Sequence, residues 1–157
     1  MILIIAYGNS LRRDDGAGLI LGRILEGAMR ERGLAVSRIA VHQLTPDLAL
    51  SVAGDEVAAV VFVDTRVATA GDEQTGLQVR SLSSEGHAQS LGHHLGASTV
   101  MTYARLLYDK SPPAWLLTVP GADFDHGEGL SEVAQRALNT LPSLLQQLPP
   151  DWPLSPA

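Results

Sequence analysis

The sequence predicts an α/β fold: a three-layer sandwich with a mostly parallel, twisted sheet and helices on both faces. Three observations predict it. Short segments such as Ile2–Tyr7 and Ala58–Val63 are apolar throughout, the pattern of strands covered on both sides. Between them lie segments whose apolar residues recur at helical spacing. This alternation makes strand–helix–strand units, and their right-handed crossovers place helices on both faces of the sheet.

The elements follow in order. Ile2–Tyr7 is the first strand, and Gly8–Asp14 is a polar loop. A helix follows, with Ala17, Ile20, Leu21, Ile24, Leu25 and Ala28 forming an inward stripe. Arg23, Glu26 and Arg30 occupy its outer face, with Glu26 and Arg30 spaced as an i,i+4 pair. Gly33 is its stop. Ile39–Leu44 is a second strand. A short helix then runs to about Ala53, with Thr45 as N-cap, Pro46 at its first position and Gly54 as its stop. Ala58–Val63 is the third strand and ends at Asp64. Leu77–Leu82 carries Arg80 and reads as an edge strand; Ser83–Gly96 reads as a loop. Ala97, Val100, Met101, Ala104, Leu107 and Tyr108 form another helical stripe. Trp115–Val119 is a strand stopped by Pro120-Gly121. Ser131 caps a last helix facing inward through Val133, Ala134, Ala137, Leu138 and Leu141, which Pro142 kinks or restarts. Residues 1–148 make one domain, and 149–157 form a Pro-rich C-terminal tail.

Composition narrows the chemistry. The 157 residues suit one domain with a core that needs no staples. With no cysteine, disulfides, thiol nucleophiles, iron–sulfur sites and zinc fingers are excluded, so a metal site must use His, Asp, Glu or backbone oxygen. A net charge of −6 offers no surplus of cations to neutralise phosphates, which argues against nucleic acid. The first apolar run lacks a basic leader and is too short for a signal peptide or membrane span, so the cytoplasm is the expected location.

In open α/β sheets, ligands bind beyond the carboxyl ends of the strands. That rule selects Gly8–Asp15, the turn after Leu44, the turn at Asp64, and Gly121–Gly129. Asp14-Asp15 opens the first helix, where Asp commonly caps; Asp14 suits the cap and Asp15 projects toward the sheet edge. The spacing of Gly8, Gly16 and Gly18 is not a phosphate-loop fingerprint, and paired acids there would repel phosphate. Asp64 ends an apolar strand, either as an Asx-turn or as a functional carboxylate facing a cleft. His93-His94 is a solvated loop pair or contains one metal ligand. His42 lies in a strand, His126 lies in the last ligand-edge loop, and His87 carries no signal. Ser10, Ser98 and Ser131 lack the Gly-x-Ser-x-Gly context of a hydrolase nucleophile. Two carboxylates and an imidazole would make an open N/O site suited to zinc, nickel, manganese or iron.

The segment Gly8-Asn9-Ser10-Leu11-Arg12-Arg13-Asp14-Asp15-Gly16-Ala17-Gly18 resembles the N-terminal signature of the hydrogenase maturation endopeptidases. Asp64 matches that family's second acidic position, and His93-His94-Leu95-Gly96 matches its histidine loop. Val119-Pro120-Gly121 and Gly129-Leu130-Ser131 resemble its closing segment. The resemblance runs from about Met1 to Leu148. It implies a metal-contacting catalytic triad of Asp15, Asp64 and His93. His93 is preferred to His94 because one residue separates the family's histidine from the Leu-Gly pair.

The implied reaction removes a C-terminal peptide from a [NiFe]-hydrogenase large-subunit precursor. The nickel is supplied by that precursor, and other divalent ions could occupy the site in vitro. The implied partner is the precursor alone, with a monomeric enzyme and neither nucleic acid nor membrane. The alternative is a noncatalytic nickel-sensing chaperone for the same precursor. One stretch departs from the pattern: His42-Gln43-Leu44-Thr45-Pro46-Asp47 stands where many members carry Asp-Gly-Gly-Thr. That departure bears on which large subunit is accepted rather than on the reaction.

Overall fold

A computed structural model describes residues 1–70, 76–82 and 95–147. Its strands are β1 (Ile2–Tyr7), β2 (Val36–Val41), β3 (Ala59–Val67), β4 (Gln78–Leu82) and β5 (Ala114–Gly121). They form one sheet in the order β2-β1-β3-β5-β4. β1 pairs in parallel with β2 and β3, and β3 pairs in parallel with β5; β4 runs antiparallel along β5. Its helices are α1 (Ala17–Glu31), α2 (Leu48–Val52), α3 (Ala97–Tyr108), α4 (Glu132–Asn139) and α5 (Leu141–Gln146).

The alternation of side chains along each strand divides the core in two. Ile2, Ile4 and Ala6 of β1 face α1, α4 and α5, packing with Leu21, Leu25, Leu138 and Leu141. Leu3 and Ile5 face α2 and α3, packing with Val52, Val100 and Ala104. This is the expected three-layer α/β sandwich, and the edge position expected for the Arg80 strand is also found. Each fully buried aliphatic side chain contributes about 1.5–3 kcal/mol of transfer free energy. Among the described residues, no helix is long and apolar enough to cross a membrane.

Several boundaries differ from expectation. β2 begins three residues earlier and ends at Val41, so His42 lies beyond the strand. α2 begins at Leu48, with Asp47 rather than Thr45 preceding it. β3 does not end at Asp64 but continues to Val67, because β5 keeps pairing with it through Asp64↔Thr118 and onward. β5 also runs through Pro120 to Gly121. The buried stripe of α1 is Ala17, Gly18, Leu21, Gly22, Leu25 and Met29, and Ile24 is exposed. Two glycines let this helix lie close to the sheet, which rotates the inward face away from Ile24. Leu107 and Tyr108 are exposed because the buried face of α3 ends at Ala104. Ser131 does cap α4, its Oγ accepting from the Ala134 N–H at 3.3 Å, and Pro142 sits in the first turn of α5. The Ser83–Gly96 loop falls outside the described residues except for Leu95 and Gly96, and the 149–157 tail lies wholly outside them.

Topology then positions the site. From β1 the chain crosses to β2 on one flank and later returns to β3 on the other. The switch point therefore lies between the carboxyl ends of β1 and β3, where α/β folds bind ligands.

Candidate active site at the β1–β3 switch point

The register of β1 on β3 runs to Ala6↔Val63. One residue further, the strands part: β1 turns into the first loop while β3 stays with β5. Tyr7 and Asp64 stand at this fork. A cleft of about 740 Å³ opens beyond it, lined by Tyr7, Asn9, Arg12, Asp15, His42 to Pro46, Asp64, Thr65, Leu95 and Gly96. Among the described strand residues Asp64 is the one acidic side chain, and the first loop brings Asp15 to the same cleft.

The two carboxylates are held differently. Asp15 lies in a 3-10 turn, Arg13–Gly16, and its Oδ2 accepts the Asn9 N–H at 2.8 Å. Asp64 Oδ1 accepts its neighbour's N–H, from Thr65, at 2.7 Å, and the Tyr7 hydroxyl donates to the same carboxylate. This bond to the next residue is not the i→i+2 bond of an Asx-turn, and Asp64 lines the cleft from within β3 rather than from a turn leaving it. Burial pushes the Asp64 carboxyl up to about 6, the Thr65 and Tyr7 donors pull it back, and the Asp15 charge adds to the rise. Burial also raises the Tyr7 hydroxyl far above the ordinary tyrosine range, with the Asp64 charge adding to this, so it remains a protonated donor. Neither carboxylate is ion-paired with a described residue.

Glycines make this convergence possible. At Gly8, φ is +151° and a Cβ would lie 2.1 Å from the Asp15 carbonyl oxygen. At Gly18, a Cβ would lie 3.0 Å from the Asp64 Cα, so only glycine lets α1 rest on β3 at this point. There the Gly18 N–H donates to Thr65 Oγ1 at 3.0 Å. The glycines of the first loop thus serve close packing around two acids.

Asp14 requires a correction. It is not a helix cap but a fully buried hub. Its carboxylate accepts from the N–H groups of Ala122 (2.7 Å), Asp123 (3.0 Å) and Ser131 (2.8 Å), and from Ser131 Oγ at 2.5 Å. Burial pushes this carboxyl upward, yet the donors of Ser131, Asp123 and Ala122 together hold it below the ordinary carboxylate range. Ser131 therefore binds Asp14 and caps α4. The Gly121–Gly129 loop, expected at the ligand edge, instead clasps the first loop. Gly127 N–H donates to Leu11 O at 2.8 Å, and Arg12 Nε donates to Phe124 O at 3.2 Å. His126 is exposed and does not line the cleft.

Of the sequence-selected triad, the structure brings Asp15 and Asp64 to one cleft. His93 lies outside the described residues, as do His94 and His87. Among the described residues, no three His, Asp or Glu side chains form a group able to hold a metal. Sequence reasoning missed Tyr7 and Arg12 as cleft residues. A polar-tipped tyrosine ending an apolar strand was the available signal for the first.

No protein-family model matches the chain, and no curated protein matches its sequence. Solved structures do match its fold. The [NiFe] hydrogenase maturation protease HybD from Thermococcus kodakarensis superposes with a TM-score of 0.63 at 22% identity, over 93% of this chain and 97% of that one. The chain has the fold of the hydrogenase maturation proteases. The hydrogenase maturating endopeptidase HybD from E. coli gives a TM-score of 0.61 at 17% identity, covering 93% and 92% of the two chains. The [NiFe] hydrogenase maturation protease HycI from Thermococcus kodakarensis KOD1 gives 0.59 at 18% identity, covering 93% and 90%.

Proposed function

We propose that this chain is an endopeptidase that trims a C-terminal peptide from a nickel-loaded [NiFe]-hydrogenase large-subunit precursor. Asp15, Asp64 and His93 would contact the substrate's metal. One observation carries the proposal: two carboxylates from distant segments, neither ion-paired among the described residues, share the switch-point cleft of a fold that solved maturation proteases also have. The protein is taken as a cytoplasmic monomer acting on protein alone.

The donor set suits this substrate. Two carboxylates and an imidazole offer oxygen and nitrogen to a borderline divalent ion, and the chain has no thiolate to compete. The soft ligands would come with the precursor. When bound, the substrate's nickel supplies a Lewis acid that polarises a carbonyl or lowers the pKa of a water. The chain's own groups hold the geometry. The Asn9 N–H fixes Asp15, and the Tyr7 hydroxyl and Thr65 N–H fix Asp64. The partial burial of Asp64 disfavours its lone negative charge, and an approaching cation relieves that cost. The cleft wall His42–Pro46 is the stretch that departs from the family pattern, which supports a role for it in selecting the large subunit.

Variants test the reading. Asp15→Asn, Asp64→Asn and His93→Ala should each abolish trimming of nickel-loaded precursor while leaving a cooperative thermal transition. Undiminished trimming by all three would end the proposal. Precursor that binds but is never shortened by the wild type would favour the chaperone alternative.

A further inference from the structure

A second cavity, of about 350 Å³, lies across the first loop from the cleft. The loop is a two-sided wall. Asn9, Arg12 and Asp15 face the cleft, whereas Ser10, Arg13 and Gly16 face the second cavity. The cavity has an apolar lining, including Ile20, Ala40 and Leu130, and three guanidinium groups, from Arg13, Arg23 and Arg38.

Among the described residues, the acids that pair with these three cations number two, Glu26 and Asp123. Arg38 Nε pairs with Glu26 at 2.6 Å, but Glu26 is also held by Arg30 at 2.7 Å, so one carboxylate serves two cations. Arg13 reaches Asp123 at only 3.6 Å, with both side chains about two-fifths exposed. Arg23 is exposed and has no hydrogen-bond or ion-pair partner among the described residues. A cationic pocket thus stands on a chain of net charge −6. Leu11, 62% exposed, lies on the loop that divides the two cavities, so an occupant of both would cross an apolar contact.

We infer that this pocket docks an acidic segment of the protein substrate, seating an aliphatic side chain on the apolar lining with its flanking carboxylates on Arg23, Arg38 and Arg13. Guanidinium forks match carboxylates in planar, bidentate geometry. A segment held here and continued across the loop reaches the cleft, so the pocket adds grip outside the reacting centre. The inference rests on the processing reading for the identity of the partner but not for the chemistry of the pocket.

Two measurements test it. In trimming assays with nickel-loaded precursor, Arg23→Glu should raise KM roughly tenfold, leave kcat unchanged and keep the wild-type melting transition, because a reversed rim charge opposes encounter. Arg23→Lys should retain most of the wild-type KM. An unchanged KM in Arg23→Glu, with the wild type trimming normally, would overturn the docking pocket and leave the processing reading intact. No trimming by the wild type would overturn the processing reading instead, and the pocket is then decided by binding alone. In amide-resolved NMR titrations, a Glu-Leu-Glu peptide amide should shift Gly16, Ala40 and Leu130 in the wild type and much less in Arg23→Glu. No shift at those residues, or equal shifts with inorganic phosphate, would overturn the assignment to an acidic peptide.

Discussion

Two acids separated by less than seventy positions and by opposite environments illustrate the residue scale. Asp14 is buried among four donors, whereas Asp64 is partly buried with fewer donors and a like charge nearby. Asp14→Ala should therefore cost about 3–5 kcal/mol in urea unfolding, since it strands three backbone N–H groups and a hydroxyl. Asp64 has the opposite sign. Its folded value of about 6 lies above the unfolded 3.8, so the native state holds the extra proton between those values. Stability from this group is fully present below about pH 4 and is lost as pH rises through about 6, by about 3 kcal/mol in all. Asp64→Asn keeps the Tyr7 and Thr65 bonds and removes the charge. Its melting temperature should exceed the wild type's at pH 7 and match it near pH 4. Adjacent Asp14 and Asp15 were legible as acids at a helix start, but their division of labour was not. It depends on Ala122 and Ser131, more than a hundred residues away, which no local pattern encodes.

At the scale of elements, the apolar strands were legible because burial on both faces leaves no polar position to misread. Their ends were not. The length of β3 is set by its partner β5, so Asp64 ends the run of apolar residues without ending the strand. The stripe of α1 was misplaced at Ile24 because two glycines on its inner face look like weak helix formers in sequence. In the structure they are contact points. Gly18→Ala should push α1 off β3, costing about 1–3 kcal/mol in denaturant unfolding and lowering trimming activity by displacing Asp64. A variant as stable and active as the wild type would show that the helix can retreat without disturbing the site.

For the whole molecule, the alternation of strands and helices predicted the layers, and the layers predicted the edge at which Asp15 and Asp64 meet. The first loop and the β5–α4 loop, hydrogen-bonded together through Asp14, Arg12 and Gly127, form a rim beside that edge. Under the proposed function, the absence of cysteine, an exclusion when taken from composition alone, would become half of a shared site to which the substrate brings the thiolates. The most direct test is mass spectrometry of a large-subunit precursor incubated with the purified protein, with and without nickel in the precursor. The account predicts loss of a C-terminal peptide only from the nickel-loaded form, and no loss with Asp64→Asn. Intact nickel-loaded precursor after incubation with the wild type, or equal trimming by Asp64→Asn, would contradict it.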